Sequence, residues 1–385
     1  MLGGRVDRRI NRRRALALGM TALLAACQVI PKAPPPVAPP PKPTTSTLPN
    51  DEKRHRVALL VPLSGSYAGV GTALANATTM ALLDTNAANL RITTYDTATG
   101  ASSAAARAIS DGNKLILGPL LGDDVGAVVA KARPAGVPLI SFSNDNSVAG
   151  PDVFVMGVSP DQSIARTVDY ASAAGSKRFA VLVPSGEYGA RAEAALGRAV
   201  RAKGGAVVAK ESYDRGNTSI ISAAQRLRQK GGFDTLLIAE GARLSIQAAT
   251  AVKPAGAATP RLLGTELWGG EESIANSPAL RGALFSTISD ARFRRFADSY
   301  RTRFGSSPPR IATLGYDAVL LTLRIARDWT PGRDFPTARM RDPGGFIGID
   351  GPFRFRADGV IERAMEVRKV GAGTVDVVSA APAKF

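Results

Sequence analysis

Apolar runs alternate with helical patterns along most of the chain from residue 57 onwards. Residues 57–61 (VALLV) form a continuous apolar run without polar alternation, the pattern of a strand that helices cover on both faces. Such strands belong to parallel sheets, whose ligands bind beyond the carboxyl ends of the strands. Because Ser64 and Tyr67 follow this strand in a turn rich in Ser and Gly, we expect them to contact a ligand, close to helix N–H groups that suit an anion.

The alternation of strand and helix continues and predicts a first lobe. Strands are expected at residues 90–96, 114–120 and 137–145, with helices at residues 101–111 and 123–132 between them. The right-handed crossover rule makes such a succession a parallel sheet. The first lobe is therefore expected to be a Rossmann-like α/β unit.

A second series of the same kind begins at residue 178. Residues 178–189 (RFAVLVPSGEYG) repeat the opening succession of strand, Val-Pro, small polar turn and helix, and further strand patterns follow up to residue 270. We therefore predict an α/β fold of two Rossmann-like lobes with parallel sheets, joined by a multi-strand hinge. The predicted boundaries are about 57–157 and 311–345 for lobe 1, and about 158–310 and 346–385 for lobe 2. Hinge strands are expected near 157–160, between 289 and 310, and near the C-terminal hairpin.

The first 26 residues have the pattern of a signal peptide. Six arginines precede an apolar stretch that ends in LLAA directly before Cys27 and is too short to span a bilayer. The LAAC at residues 24–27 resembles the bacterial lipobox, whose Cys is acylated and becomes the new N-terminus. Gln28 after it, in place of Asp, then indicates the outer membrane. The alternative is an ordinary signal peptide with an incidental Cys.

Residues 27–56 are expected to form a proline-rich tether. The stretch IPKAPPPVAPPPKPTTSTLPN, residues 30–50, favours polyproline II, and at about 3.1 Å per residue some twenty residues would reach roughly 60 Å from the membrane. Of the net charge of +17, the first 56 residues carry +8, from eleven Lys or Arg and three Asp or Glu, so +9 remains on the rest. This surplus favours anionic lipid or cell-wall polymers as neighbours rather than nucleic acid.

Histidine and the common catalytic motifs are absent from the predicted lobes. The single histidine, His55, falls in the tether, which excludes His-based acid–base chemistry and His metal clusters. The sequence contains neither G-x-S-x-G nor S-x-x-K, and the glycines after the first strand do not have G-x-G-x-x-G spacing. We therefore expect no catalytic residue, no metal site and no cofactor.

Several segments together resemble the type 1 periplasmic binding proteins of the leucine/isoleucine/valine-binding kind. They are VALLVPLSGSYAGVG, LGPL, PLISFSND, AVLVPSGEYG, the YDA at residues 316–318 and GPFRFRADG, in this order. The resemblance implies a non-catalytic periplasmic protein whose two lobes close by a hinge motion on a small amino-acid-like solute. It also implies a role in transport or sensing, with an ABC transporter as a partner.

The phrases GPL, SFSND, LLGTELW and DGPFRF also resemble the outer-membrane lipoproteins that activate penicillin-binding proteins. This second resemblance implies the alternative function, an interaction protein in peptidoglycan synthesis whose partner is a penicillin-binding protein. Those activators often carry a helical-repeat domain, whereas here the tether leads directly into the lobes.

The first resemblance suggests ligand contacts residue by residue. Ser141, Ser143 and Asp145 occupy positions from which the family offers backbone groups and a hydroxyl, although Asp145 could equally cap the next helix. Glu266 falls where amino-acid binders place the acid that holds the ligand ammonium; the alternative is a solvated loop carboxylate. Tyr188 could close over a ligand or pack against its own helix. The family's usual Ser after the third strand is replaced here by Leu121-Gly122, which weakens the amino-acid interpretation.

Two aromatic features have structural alternatives. Trp268 is expected either in a core or interface or in a ligand wall. Residues 291–305 place Phe293, Phe296, Tyr300 and Phe304 at helical spacing, with arginines on the other face. A membrane-surface or partner helix has this pattern, but we favour a helix packed on the second lobe.

Overall fold

The structure, a computed structural model, describes residues 53–217, 219–253 and 259–385. All of them fall within one compact unit of the chain. The predicted signal peptide, Cys27 and the predicted tether before residue 53 lie outside the described residues.

A five-stranded sheet forms the first lobe, with the spatial order β2-β1-β3-β4-β5. Every neighbouring pair is parallel, which confirms the prediction. Its strands are β1 (His55–Val61), β2 (Leu90–Asp96), β3 (Leu115–Leu117), β4 (Leu139–Ser141) and β5 (Val153–Val155).

A seven-stranded sheet forms the second lobe, in the order β15-β14-β10-β9-β8-β6-β7. Five strands are parallel, whereas β14 runs antiparallel to both β10 and β15. The remaining strands form a small antiparallel sheet, β11-β12-β13. The bounds are β6 (Arg178–Pro184), β7 (Ala206–Tyr213), β8 (Thr235–Ile238), β9 (Arg261–Leu263), β10 (Leu284–Thr287), β11 (Phe346–Gly348), β12 (Gly351–Phe355), β13 (Ile361–Arg363), β14 (Glu366–Val370) and β15 (Val375–Ser379).

Helices cover both faces of the two large sheets. Alternate residues of β1 show this directly, since Leu59 lies in the core beneath the helices Ala68–Asp84 and Thr313–Ala326, and Leu60 lies in the core beneath the helices Ala101–Ser110 and Gly122–Ala132. The continuous apolar run of β1 therefore arises because both of its faces are buried. The bounds are α1 (Ala68–Asp84), α2 (Ala101–Ser110), α3 (Gly122–Ala132), α4 (Pro160–Ala173), α5 (Glu187–Ala202), α6 (Ser219–Lys230), α7 (Ala242–Val252), α8 (Glu272–Ala275), α9 (Phe293–Phe304) and α10 (Thr313–Ala326).

The chain passes between the lobes three times, after β5, after β10 and after β13. The predicted boundary at residue 346 is wrong in one respect. Phe346, Phe353, Phe355 and Ile361 of the small sheet are buried in the core of the first lobe, so only the segment from β14 onwards belongs with the second. The physical reason is that the apolar side chains of β11–β13 pack beneath α10.

The amphipathic segment at residues 293–304 is helical, as predicted, but it packs on the first lobe rather than the second. Phe296 and Tyr300 are buried against Ala77 and Met80 of α1. The aromatic spacing fixed which face of α9 is buried, but it carried no information on which lobe would cover it.

His55 is the first residue of β1 and does not belong to the tether. Its side chain is buried and stacks on Trp329, with 4.1 Å between the ring centroids. Burial lowers the pKa of His55, which favours the neutral ring. His55 nevertheless lies at the amino end of the strand, about 20 Å from the end where ligands of such sheets bind.

Candidate ligand-binding cleft

A cavity of about 480 Å³ lies between the two lobes, at the carboxyl ends of β1, β3, β4, β9 and β10. Parallel strands direct their carboxyl ends, and the loops that follow them, to one edge of each sheet. Both lobes and the connecting segments contribute walls. The lining residues of the first lobe include Tyr67, Leu121 and Phe142, and those of the second include Glu266, Leu267 and Ile288.

Apolar side chains form most of this wall. The aliphatic and aromatic members are Tyr67, Val70, Leu120, Leu121, Phe142, Val158, Leu267, Ile288, Ile311 and Leu314. The polar members are few, and four of them, Ser143, Asn144, Thr287 and Thr313, are uncharged. Ligand sites of this kind hold an apolar body and orient it with a small number of polar groups.

Glu266 is the acidic group that the second lobe presents to the cavity. It lies in a 3₁₀ turn after β9, and its Oε1 accepts a hydrogen bond from the hydroxyl of Tyr188 at 3.1 Å. Its Oε2 is buried and has no hydrogen-bond partner among the described residues. Burial raises the pKa of Glu266 to about 7. The side chain is therefore a buried carboxyl that a cationic or hydrogen-bond-donating ligand group would satisfy.

Arg310, Thr313 and Asp350 form a polar floor that the sequence analysis did not identify. Asp350 is almost fully buried, and it accepts hydrogen bonds from Thr313 Oγ1 at 2.7 Å and from Arg310 Nη2 at 3.2 Å. The backbone N–H of Asp350 points to buried Asp317, whose pKa is raised to about 7 by burial. The only sequence signal was indirect, because Asp317 and Asp350 lie in or beside two segments that carry the family resemblance.

Three of the predicted ligand residues line the cavity, namely Tyr67, Ser143 and Glu266. Tyr67 is about half exposed, whereas Ser143 is buried. The Ser143 Oγ accepts a hydrogen bond from the backbone N–H of Asp145 at 3.0 Å. Its own proton has no acceptor within the described part of the chain and is available to a ligand.

Two predicted serines bond elsewhere in the first lobe. The hydroxyl of Ser64 donates to Asp96 Oδ2 at 3.1 Å, on the exposed side of the turn. The hydroxyl of Ser141 is fully buried and donates to the carbonyl of Pro119 at 3.1 Å. Neither residue lines the cavity, because local polar partners already orient both side chains.

Asp145 and Tyr188 also lie outside the cavity lining. Asp145 caps a 3₁₀ turn by accepting the Ser147 N–H at 3.0 Å, which was the structural alternative for this residue. The hydroxyl of Tyr188 donates to Glu266 Oε1 at 3.1 Å and lies 3.0 Å from Oγ1 of the neighbouring Thr265. Tyr188 is therefore a positioning residue for Glu266.

Trp268 belongs to the core of the second lobe. It is almost fully buried, packs against Phe285 and donates its indole N–H to the carbonyl of Glu240 at 3.0 Å. Of the two expectations for this residue, the structure supports the core and not the ligand wall.

The described residues contain no group of three or more His, Cys, Asp and Glu side chains arranged to hold a metal ion. Within the same ranges, none of the helices has the length and apolar character needed to cross a bilayer.

A family model described as "Periplasmic binding protein" matches residues 55–374. A curated relative, an uncharacterized protein of Rickettsia prowazekii, is 29% identical over 140 residues, which is 36% of this chain and 38% of that protein. The match thus spans well under half of the relative's length.

Solved structures of similar fold cover nearly all of the two lobes. A putative branched-chain amino acid ABC transporter protein from Rhodospirillum rubrum has a TM-score of 0.75 at 20% identity, covering 84% of this chain and 100% of its own. The leucine-binding protein of Thermotoga maritima has a TM-score of 0.63 at 21% identity, with 85% and 98% covered. A solute-binding protein of Rhodopseudomonas palustris in complex with 3,4-dihydroxybenzoic acid has a TM-score of 0.66 at 20% identity, with 87% and 98% covered.

Proposed function

The chain belongs to the periplasmic binding protein family, and from this premise we propose that it is a non-catalytic receptor for a small amino-acid-like solute with an apolar body. The observation that carries the proposal is the apolar cavity between the lobes, into whose wall the buried carboxyl of Glu266 is set. A ligand there touches both lobes, so it stabilises the closed arrangement by the difference between its affinities for the closed and the open state.

In this proposal the parts of the ligand have separate partners. The apolar body lies against side chains such as Leu121, Phe142 and Ile288, and an ammonium group bonds to Glu266. The Ser143 hydroxyl and the loop N–H groups nearby serve the acidic end. An amino acid with a branched aliphatic or aromatic side chain satisfies all three environments.

We further propose that Cys27 carries the lipid anchor and that the tether holds the lobes in the periplasm, at the outer membrane. The solute would then pass to an ABC transporter or a sensor. The similar structures from Rhodospirillum rubrum, Thermotoga maritima and Rhodopseudomonas palustris are transport or solute-binding proteins, which supports the role in transport.

Thermal unfolding of the purified full chain with a matched ligand panel tests the proposal. Leucine, 4-methylpentanoate and 3-methylbutylamine share the apolar body and differ in which polar groups they carry. A ligand at 100 times its dissociation constant stabilises a protein by about 2.7 kcal/mol. We expect leucine or a closely related amino acid to raise the melting temperature most, because it satisfies both ends of the site.

Two variants locate the binding. Glu266→Gln removes the carboxylate from the cavity wall, and Glu271→Gln removes an exposed carboxylate from the same loop. We expect the first to abolish the shift and the second to retain it. Flat melts across a panel of all apolar amino acids would overturn the receptor proposal.

The scarcity of groups that could bind a ligand carboxylate favours a second candidate, an activator of penicillin-binding proteins. The hydroxyl of Ser141 already donates to the carbonyl of Pro119, Leu121-Gly122 replaces the family's Ser, and the carboxylate of Asp145 would repel a ligand carboxylate. In this alternative the lobes dock a cell-wall synthase. Flat melts combined with retention of a purified penicillin-binding protein by the immobilised chain would favour it.

A further inference from the structure

The cavity between the lobes is larger than a single apolar amino acid needs. At about 30 Å³ for each molecule of liquid water, its volume of about 480 Å³ equals about sixteen waters, and leucine would fill about half of it. The lobes already touch beside this cavity, because Arg191 of α5 pairs with Asp145 of the first lobe at 3.6 Å. The volume therefore belongs to lobes in contact, and it has room for a ligand about twice the size of leucine.

The opening of this cavity is apolar on both sides. Three of the described residues that line the cavity are also exposed to solvent, namely Tyr67 and Asn144 of the first lobe and Leu267 of the second. They mark the place where the cavity opens, and we call them the mouth. Tyr67 is 52% exposed and Leu267 is 37% exposed. The two side chains extend the apolar wall outwards from both lobes, as in a groove that continues to bind its ligand beyond the enclosed part.

The polar groups of the cleft suit a ligand ammonium better than a ligand carboxylate. Glu266 Oε2 is buried without a hydrogen-bond partner among the described residues, so it can accept from an ammonium. The Ser143 hydroxyl lies close to the carboxylate of Asp145, since a Cβ on Gly122 would be 3.2 Å from Ser143 Oγ and 3.6 Å from Asp145 Oδ2. A ligand carboxylate bonded to Ser143 would therefore meet a negative charge, whereas an uncharged carbonyl accepts the same hydrogen bond without that repulsion.

The mouth also contains an amide that no part of the described chain engages. The side chain of Asn144 makes no hydrogen bond with the described residues, and Asn144 directly follows Ser143. An Asn side chain has an acceptor oxygen and a donor NH₂, and a peptide group likewise has an acceptor C=O and a donor N–H. Asn144 can therefore bond to a peptide group that passes out of the cavity through the mouth.

We propose that the cleft binds an apolar dipeptide, an inference that rests on the receptor function proposed above. The first residue of the dipeptide occupies the cavity, with its ammonium at Glu266 and its carbonyl at the Ser143 hydroxyl. The peptide N–H bonds to Asn144, and the second apolar side chain packs between Tyr67 and Leu267. The terminal carboxylate then lies in solvent beyond the mouth, so the cavity needs no group to bind it.

Isothermal titration of the purified full chain with leucine, leucylglycine and leucylleucine tests the ligand class. The three probes share the ammonium and the first side chain; leucylglycine adds only the peptide unit, and leucylleucine adds a second apolar side chain. Burial of one leucine side chain changes an affinity by about tenfold or more, so leucylleucine should bind at least tenfold more tightly than either other probe. Leucine or leucylglycine binding as tightly as leucylleucine would overturn the dipeptide and leave the receptor function standing. If none of the three probes bound, the receptor function itself would fail.

Two variants of the mouth locate the second side chain. Leu267→Ser and Tyr67→Ser each remove one apolar wall at an exposed position, so the preference for leucylleucine over leucylglycine should fall from at least tenfold to about threefold in each. Leu83→Ser is the matched control, since Leu83 is 65% exposed on α1 and does not line the cavity. It should keep the full preference. A tenfold preference that persists in both mouth variants would overturn the placement of the second side chain.

Asn144→Ala tests the contact with the peptide group. It removes one hydrogen bond that only the dipeptides make, so the affinities of leucylglycine and leucylleucine should both fall about fivefold relative to that of leucine. The preference for leucylleucine over leucylglycine should stay the same, because both dipeptides lose the same bond. Dipeptide affinities that keep their ratio to leucine in this variant would overturn the role of Asn144.

Discussion

Arg191 and Asp145 form an ion pair across the cleft, with 3.6 Å between Arg191 Nη1 and Asp145 Oδ1. Arg191 belongs to α5 in the second lobe, and Asp145 follows β4 in the first lobe. Both side chains are largely buried, at 24% and 21% exposure. The pair therefore joins the lobes through protein groups alone, beside the cavity in which we place the ligand.

We predict that Arg191→Gln loosens the lobes without unfolding them. A partly exposed ion pair contributes about 1 kcal/mol or less, so the free energy of unfolding should fall by no more than about that amount. The radius of gyration measured by small-angle X-ray scattering should increase, because one contact that holds the lobes together is lost. Arg133→Gln is the control, as Arg133 pairs with Asp152 inside the first lobe. A radius that grows equally in both variants would contradict the prediction.

Glu266 makes the stability of the protein depend on pH. Its folded-state pKa of about 7 lies above its ordinary value of 4.5, so the native state binds more protons than the unfolded state between these values. Stability from this group is full below pH 4.5 and is lost as the pH rises towards 7. Glu266→Gln lacks this loss, and its free energy of unfolding relative to the unmodified chain should rise by about 2 kcal/mol from pH 5 to pH 8.

Urea unfolding at the two pH values measures this difference. Other buried acids, such as Asp317, are present in both proteins and cancel in the comparison. Glu271→Gln, which removes an exposed carboxylate nearby, should show no such trend. A difference between Glu266→Gln and the unmodified chain that stays constant with pH would mean that Glu266 ionises normally.

Gly157 is predicted to tolerate no side chain. It lies at the first crossing between the lobes, and a Cβ there would be 2.2 Å from the carbonyl oxygen of Ser143. The clash is with backbone, so Gly157→Ala should lower the free energy of unfolding by about 2–4 kcal/mol. Gly150→Ala, whose Cβ would meet nothing closer than 3.9 Å, should cost about 1 kcal/mol or less. Similar midpoints of chemical unfolding for the two variants would refute the prediction.

Truncation of Phe296 tests whether α9 packs on the first lobe. The side chain is buried against α1, and its ring meets Tyr316 of α10 edge-on at 5.7 Å. Phe296→Ala should cost about 3–5 kcal/mol of unfolding free energy, as large core truncations do. Arg295→Ala, on the exposed face, should change it by about 0.5 kcal/mol or less. Equal, small effects in chemical denaturation would show that α9 is not part of this core.

The candidate site could be predicted from the sequence only for residues in the loops that follow strands. Tyr67, Ser143 and Glu266 are such residues, and all three line the cavity. Ser64 lies in such a loop and Ser141 ends β4, but their hydroxyls donate to Asp96 and to the carbonyl of Pro119, partners that no local pattern reveals. The position of a residue at the end of a strand predicts its edge of the sheet but not the direction of its side chain.

Three residues that no sequence pattern predicted also line the cavity, namely Arg310, Thr313 and Asp350. They follow the predicted ligand residues along the chain, in segments for which the sequence predicted no ligand contact, and they reach the cavity because the small sheet and α10 pack against the first lobe. Their hydrogen bonds form only when these elements have packed together, so no residue spacing in the sequence predicts these bonds.

The sequence by itself determined β1–β4 and β6–β9, their parallel pairing and most of the helices between them, because these depend on local periodicity and on the handedness of short connections. Tertiary structure alone decided where β11–β13 and α9 pack, that His55 enters β1, and which polar groups meet in the cleft. An apolar face specifies that it must be buried, but any apolar partner of suitable shape satisfies it. A polar side chain likewise bonds to the partner that the completed fold brings within reach.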